Sequence, residues 1–175
     1  MFADPKKNIE QFGLEPGQKV ADLGSGSGFY SLAAAEVLRG SGAVYAVDVQ
    51  QDLLTTLSNA ARAEKLGVIQ TIWGDIEKTG GTKLADKSVD AAIVSNVLFQ
   101  AESKEGLLKE AFRILKPRGR LLLIDWSDSF GGMGPHPESV VNREAAEKLL
   151  SETGFQYERE ISAGEHHYGL IYKRP

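Results

Sequence analysis

Residues Asp22-Leu23-Gly24-Ser25-Gly26-Ser27-Gly28 constrain this chain more than any other stretch. They join an apolar run, residues 19–23, to a helix-forming run that begins near Phe29. Three alternate glycines leave no Cβ in the way, so backbone N–H groups at a helix N-terminus can lie flat against a ligand. Strand, glycine turn and helix in that order predict a site for a nucleotide-type cofactor.

Spacing separates three kinds of glycine-rich turn. A P-loop closes with Gly-Lys-Ser/Thr, whereas Gly28 is followed by Phe29 and Tyr30. A dinucleotide fingerprint, G-x-G-x-x-G, needs its last glycine where this chain has Phe29 or Ser31. Only the G-x-G-x-G register fits, and Asp22 occupies a position that a dinucleotide fold normally gives to an apolar strand residue. With no pyrophosphate to bind, such a turn suits a nucleoside carrying a zwitterionic tail.

Composition excludes several alternatives. At 175 residues the chain reads as one domain, residues 1–175, and 42% hydrophobic with 25% charged residues is the balance of a globular protein. The apolar runs are strand-length, and the N-terminus lacks the basic-then-apolar pattern of a signal peptide, so no membrane span and a cytoplasmic location are expected. A net charge of −4 offers no general attraction to phosphate backbones, which disfavours nucleic-acid partners. The absence of cysteine removes disulfides, a thiol nucleophile and thiolate metal ligands.

Apolar strand runs alternate with helix-period segments, the pattern of a doubly wound parallel α/β sheet. Asp4-Pro5 predicts a short first helix to about Phe12. In the helix predicted over 51–64, Leu53, Leu57, Ala60, Ala61 and Glu64 share a stripe; over 103–115 the stripe is Leu107, Leu108, Ala111, Phe112 and Leu115. Both stripes are read as core. Segments 74–87 and 127–137 read as loops, and Asn142 caps a helix that Gly154 stops. Beyond it, strand-like runs 155–162 and 166–173 are joined by only Ala163-Gly164-Glu165. A parallel crossover needs about a dozen residues, so this turn predicts a C-terminal antiparallel hairpin. If run 155–162 lies parallel to the other strands, the turn falls at the carboxyl edge of the sheet and brings His166, His167 and Tyr168 near Asp125 and Trp126.

The chain resembles the class I S-adenosylmethionine-dependent methyltransferases, whose first motif is an acid followed by G-x-G-x-G. Val44 to Asp48 is similar to the family's second strand with its terminal acid, and Trp73-Gly74-Asp75-Ile76 to the acid after the third. Residues 91–96 and 115–125 are similar to the fourth and fifth strands, and the terminal hairpin matches a family whose last strand inserts antiparallel beside the fifth. The resemblance implies seven strands, S-adenosyl-L-methionine as cofactor, and methyl transfer to a small-molecule acceptor; a catalytically inactive cofactor-binding regulatory or scaffold protein is the alternative.

Cofactor-site candidates are Asp22, Gly24, Ser25, Gly26, Gly28, Tyr30, Asp48, Val49, Asp75, Ile76, Ser95 and Asn96. Asp48 stands about 20 residues beyond the glycine turn, the distance at which an acid accepts both ribose hydroxyl protons, its other role being to cap the next helix. The family uses the acid at Asp75 for the adenine amino group, with Ile76 packed on the ring; Gly-Asp is also ordinary turn chemistry. Asp22 either meets the ligand's ammonium through water or holds the glycine turn by accepting its N–H groups. Ser95 and Asn96 end the fourth strand, where the family offers carbonyls to the methionine part. After that strand many small-molecule members carry a histidine or an aromatic pair; Leu98-Phe99-Gln100 departs from this. The cysteines of the arsenic-methylating members are missing too. Of three histidines, His167 and then His136 are the candidate bases, and no metal site is expected, since adjacent strand residues such as His166 and His167 face opposite ways.

Overall fold

A computed structural model describes residues 3–175. Its seven strands are β1 (Lys19–Leu23), β2 (Ala43–Asp48), β3 (Ile69–Trp73), β4 (Val89–Ser95), β5 (Leu115–Trp126), β6 (Gln156–Ile161) and β7 (His167–Lys173). They form one sheet in the order β3-β2-β1-β4-β5-β7-β6. The first five are parallel, and β7 runs antiparallel between β5 and β6. Consequently β6 is parallel to β5, and the hairpin turn returns to the carboxyl edge with His167 opposite Trp126. The connection spans residues 162–166, two more than the three-residue turn read from the sequence.

Five helices cover the faces: α1 (Pro5–Phe12), α2 (Phe29–Leu38), α3 (Gln51–Ala63), α4 (Lys104–Ile114) and α5 (Arg143–Thr153). The predicted caps hold: Asp4 accepts from the N–H groups of Lys6 and Lys7, Asn142 from that of Ala145, and Gly154 ends α5 in the left-handed region. Alternation along the strands splits the core. Ala21, Leu23, Leu121 and Leu123 pack with Leu107, Leu108 and Ala111 of α4, while Val20, Leu122 and Ile124 pack with Phe12 of α1 and Leu38 of α2. None of the described helices is long and apolar enough to cross a membrane.

One helix phase differs from the sequence reading. In α3 the buried positions are Leu54, Leu57 and Ala61, whereas Glu64 is exposed and Leu53 faces a cleft. Leu53 and Leu54 both neighbour Leu57 on a helix, four and three positions away, so sequence spacing does not choose between them.

Candidate cofactor cleft at the carboxyl edge

A cleft of about 560 Å³ opens at the carboxyl ends of β1, β2 and β4, where strand order reverses in a doubly wound sheet. Gly24, Gly26 and Gly28 all adopt positive φ, as the turn requires. Each has a separate spatial role. A Cβ on Gly24 would lie 2.7 Å from Val97 Cγ2 and one on Gly28 2.3 Å from Leu57 Cδ1, whereas one on Gly26 would meet nothing within 4 Å. Gly24 and Gly28 therefore serve packing, and Gly26 keeps the cleft floor open.

Four of the turn's N–H groups, those of Gly24, Ser25, Gly26 and Gly28, are spoken for within the protein. Those of Gly24 and Ser25 donate to the Val47 carbonyl, and that of Gly26 donates to Asp48 Oδ2 at 2.8 Å. Asp48 also accepts from Gln50 N–H, so this acid, rather than Asp22, ties the glycine turn to the end of β2. Asp22 instead accepts from the Ser31 hydroxyl at 2.7 Å, behind the cleft wall; burial pushes its carboxyl up to about 6. Of the two roles left open for Asp22, gripping the turn gives way here: side chains alternate along β1, and Asp22 points to the α2 face.

Of the sequence candidates, Gly24, Ser25, Gly26, Tyr30, Asp48, Val49, Asp75, Ile76, Ser95 and Asn96 line the cleft. Asp22 and Gly28 shape it from behind. Sequence reasoning missed Ser27, Phe29, Gln50, Leu53, Glu77, Val97, Gln100 and Ala101, while Ala3 and Pro5 bring the N-terminal helix α1 to the cleft. Asp75 Oδ1 accepts from Glu77 N–H at 3.0 Å and its Oδ2 pairs with Lys78 at 3.2 Å. The Trp73 indole donates to the Val49 carbonyl, which fixes the exposed Val49 beside the cleft.

Three polar atoms on this wall, Ser25 Oγ, Ser95 Oγ and Asn96 Oδ1, are buried without a hydrogen-bond partner. Asn96 also holds a φ of +56° at the end of β4. Orphaned buried acceptors cost about 1–3 kcal/mol each. All three belong to residues that line one cleft, and Asn96 holds a left-handed backbone there.

The histidines lie off this wall. His136 is exposed on segment 127–137. His167 begins β7, its ring centroid 4.3 Å from that of Trp126, with Nδ1 2.9 Å from the Glu165 carbonyl and Nε2 buried without a partner. Burial holds its pKa below the ordinary value of 6.5. Next to it, His166 pairs with Asp128 at 2.7 Å and stacks on Phe130, linking segment 127–137 to the hairpin.

Residues 14–167, most of the chain, match the model of a methyltransferase domain family. The chain belongs to that family. The methyltransferase superposes on a SAM-dependent methyltransferase from Aquifex aeolicus with a TM-score of 0.89 and 26% identity, covering 99% of this chain and 91% of the other. It is 31% identical over 119 residues to a ubiquinone/menaquinone biosynthesis C-methyltransferase of Haemophilus ducreyi, covering 68% of this chain and 45% of the relative. Against an arsenite methyltransferase of Aquipseudomonas alcaligenes the identity is 36% over 117 residues, 64% of this chain and 34% of the relative. The chain thus spans less than half the length of these curated relatives. Architecture and relatives together make this a class I methyltransferase fold with S-adenosylmethionine as its cofactor.

Proposed function

We propose that the methyltransferase transfers the methyl group of S-adenosylmethionine to a small-molecule acceptor. A cleft whose wall places two carboxylates, Asp48 and Asp75, beside the apolar Val49 and Ile76 at the end of a glycine turn carries this reading. Those residues fit the cofactor's chemistry. Asp48 keeps lone pairs for the ribose hydroxyls beside its two backbone bonds, and Asp75 suits an exocyclic amino donor. Val49 and Ile76 offer apolar surface to the adenine ring, and the residues at the ends of β1 and β4, Ser25, Ser95 and Asn96, line the part of the cleft left for the amino-acid tail.

When bound, the sulfonium supplies an already electrophilic methyl group, so the chain's own work is alignment and proton removal. Asn8 holds the alignment side: its Nδ2 donates to the Tyr30 hydroxyl at 3.0 Å and to the Ala163 carbonyl at 3.3 Å, joining α1, α2 and the hairpin turn. His167 is the proposed proton acceptor. Nδ1 faces a carbonyl and so carries the proton, leaving a lone pair on Nε2, and burial keeps the ring neutral near pH 7. The small-acceptor reading is supported by the absence of Lys and Arg from the described wall of the cleft, which offers nothing to a phosphate backbone. The arsenite chemistry named for one relative does not carry over to a chain without cysteine.

Calorimetry should show binding of S-adenosylmethionine and S-adenosylhomocysteine but not NAD, and Asp48→Ala should weaken the adenosyl ligands at least tenfold, on the order of 1.4 kcal/mol or more, in a folded protein. Stronger binding of NAD would sink the cofactor assignment. Incubation with methyl-labelled cofactor and fractionated cell extract should place label in small metabolites; label in protein or RNA alone would overturn the acceptor class.

A further inference from the structure

Glu110 sits in the middle of α4 with 1% of its surface exposed and accepts five hydrogen bonds. Two come from Arg113, at 2.7 and 2.8 Å. The other three come from the loop between β3 and β4: Gly80 N–H at 3.0 Å, Thr82 N–H at 3.2 Å and the Thr82 hydroxyl at 2.7 Å. Arg113 extends the grip to the Leu84 carbonyl and the Asp86 carboxylate. Although burial pushes the Glu110 carboxyl up, Arg113, Thr82 and the two N–H groups hold it down at about 2, so it stays ionised.

A buried carboxylate in this setting is a costly way to fasten a surface loop, and what lies behind the fastened segment explains its use. A Cβ on Gly81 would stand 1.9 Å from the Asp75 carbonyl oxygen, and one on Gly74 2.2 Å from the Gly81 carbonyl oxygen. The Gly80–Thr82 backbone therefore packs directly on the backbone of Asp75. Farther along, Glu77 accepts from Ser103 N–H at 2.7 Å, and a Cβ on Gly106 would stand 2.3 Å from the Glu77 carbonyl oxygen. Thus α4 and its N-cap hold the loop at two points that follow Asp75, Glu77 and the Gly80–Thr82 backbone.

We propose that Glu110, with Arg113 and Thr82, is a positioning residue that sets how sharply Asp75 reads the amino group of the cofactor's purine. The inference rests on the proposed role of Asp75. Glu110 touches no ligand; it fixes the Gly80–Thr82 backbone, and that backbone fixes Asp75.

The test compares affinities for S-adenosylhomocysteine and S-inosylhomocysteine, in which a carbonyl replaces the purine amino group. Simple destabilisation lowers both affinities together, so their ratio reports Asp75 placement alone. The wild type should prefer the adenosyl ligand by about tenfold or more, and Asp75→Asn should bring the ratio close to one. Glu110→Gln should lower the ratio at least threefold, and the gentler Thr82→Val, which removes one hydroxyl at nearly constant shape, about twofold. If Glu110→Gln does not fold, Thr82→Val decides. Unchanged ratios in the folded variants, with Asp75→Asn effective, overturn the proposal while leaving the role of Asp75 intact. A wild type without preference, or a ratio that Asp75→Asn leaves unchanged, overturns the reading of Asp75 itself and the proposal with it.

Discussion

Asp22 and Asp125 end or nearly end two strands of the same sheet, both are almost fully buried, and burial pushes both carboxyls up to about 6. Their partners differ. Asp22, on the cofactor side, is served by Ser31, whose hydroxyl donates to Oδ2 and whose N–H also favours the ionised form. Asp125, on the hairpin side, uses both oxygens on backbone donors: Oδ1 for Trp126 N–H at 2.8 Å and Oδ2 for Phe99 N–H at 3.2 Å, tying β5 to the segment after β4. A hydroxyl can rotate to meet whatever acceptor it faces, but fixed N–H groups on two different residues, each aimed at its own carboxylate oxygen, demand two acceptors. Equal burial and equal pKa shifts thus conceal different tolerance to substitution.

The largest expected effect is at Asp22. Its folded pKa is raised, so its contribution to stability is complete below the ordinary carboxylate range and is lost as pH rises through about 6. Asp22→Asn keeps an acceptor for Ser31 and never ionises. Its stability relative to wild type should climb between pH 4 and 7 by on the order of 3 kcal/mol, followed as the difference in urea midpoints. A flat difference would break the comparison at its root.

The next effect tests the hairpin side for chemistry. With an acceptor in hand, His167→Ala should lose about 100-fold in turnover at unchanged cofactor affinity, while His136→Ala stays within about twofold. Near-normal turnover in both would leave alignment of an already deprotonated acceptor as the mechanism. Smaller still is the gap between the two asparagine variants. At pH 7 Asp125→Asn should be about 1–3 kcal/mol less stable than Asp22→Asn, because its amide presents N–H to an N–H donor. Equal midpoints would show that the second backbone bond contributes nothing.

The smallest effect comes from segment 127–137. A Cβ on Gly131 meets nothing within 4 Å, so Gly131→Ala should cost only the strain of its φ of +52°, about 1–2 kcal/mol by thermal unfolding, with cofactor affinity unchanged. A shift in affinity would join this segment to the cofactor half.

What was readable in the sequence is what depends on neighbours along the chain. The glycine turn, the acid closing β2 and the hairpin all follow from spacing within a few residues or a strand length, and ten of the twelve cofactor candidates face one cleft. What was not readable depends on meetings between distant positions. Nothing in the run around Glu110 announces its bonds to Gly80 and Thr82, and nothing near Asp22 says that Asp48 takes the Gly26 N–H instead. The choice of Leu54 over Leu53 for the core is one helical step, below the resolution of a periodicity argument.

The insertion of β7 between β5 and β6 also orders events during synthesis. As the chain leaves the ribosome, β6 emerges before β7, the strand through which it joins the sheet, while β5 waits with one edge bare. The parallel half of the sheet can assemble in translation order, but its hairpin half closes only when residues 167–173 become free. Slow emergence of that segment would prolong exposure of the apolar strand edge at residues 121–124, a window in which pairing with another nascent chain competes with closure.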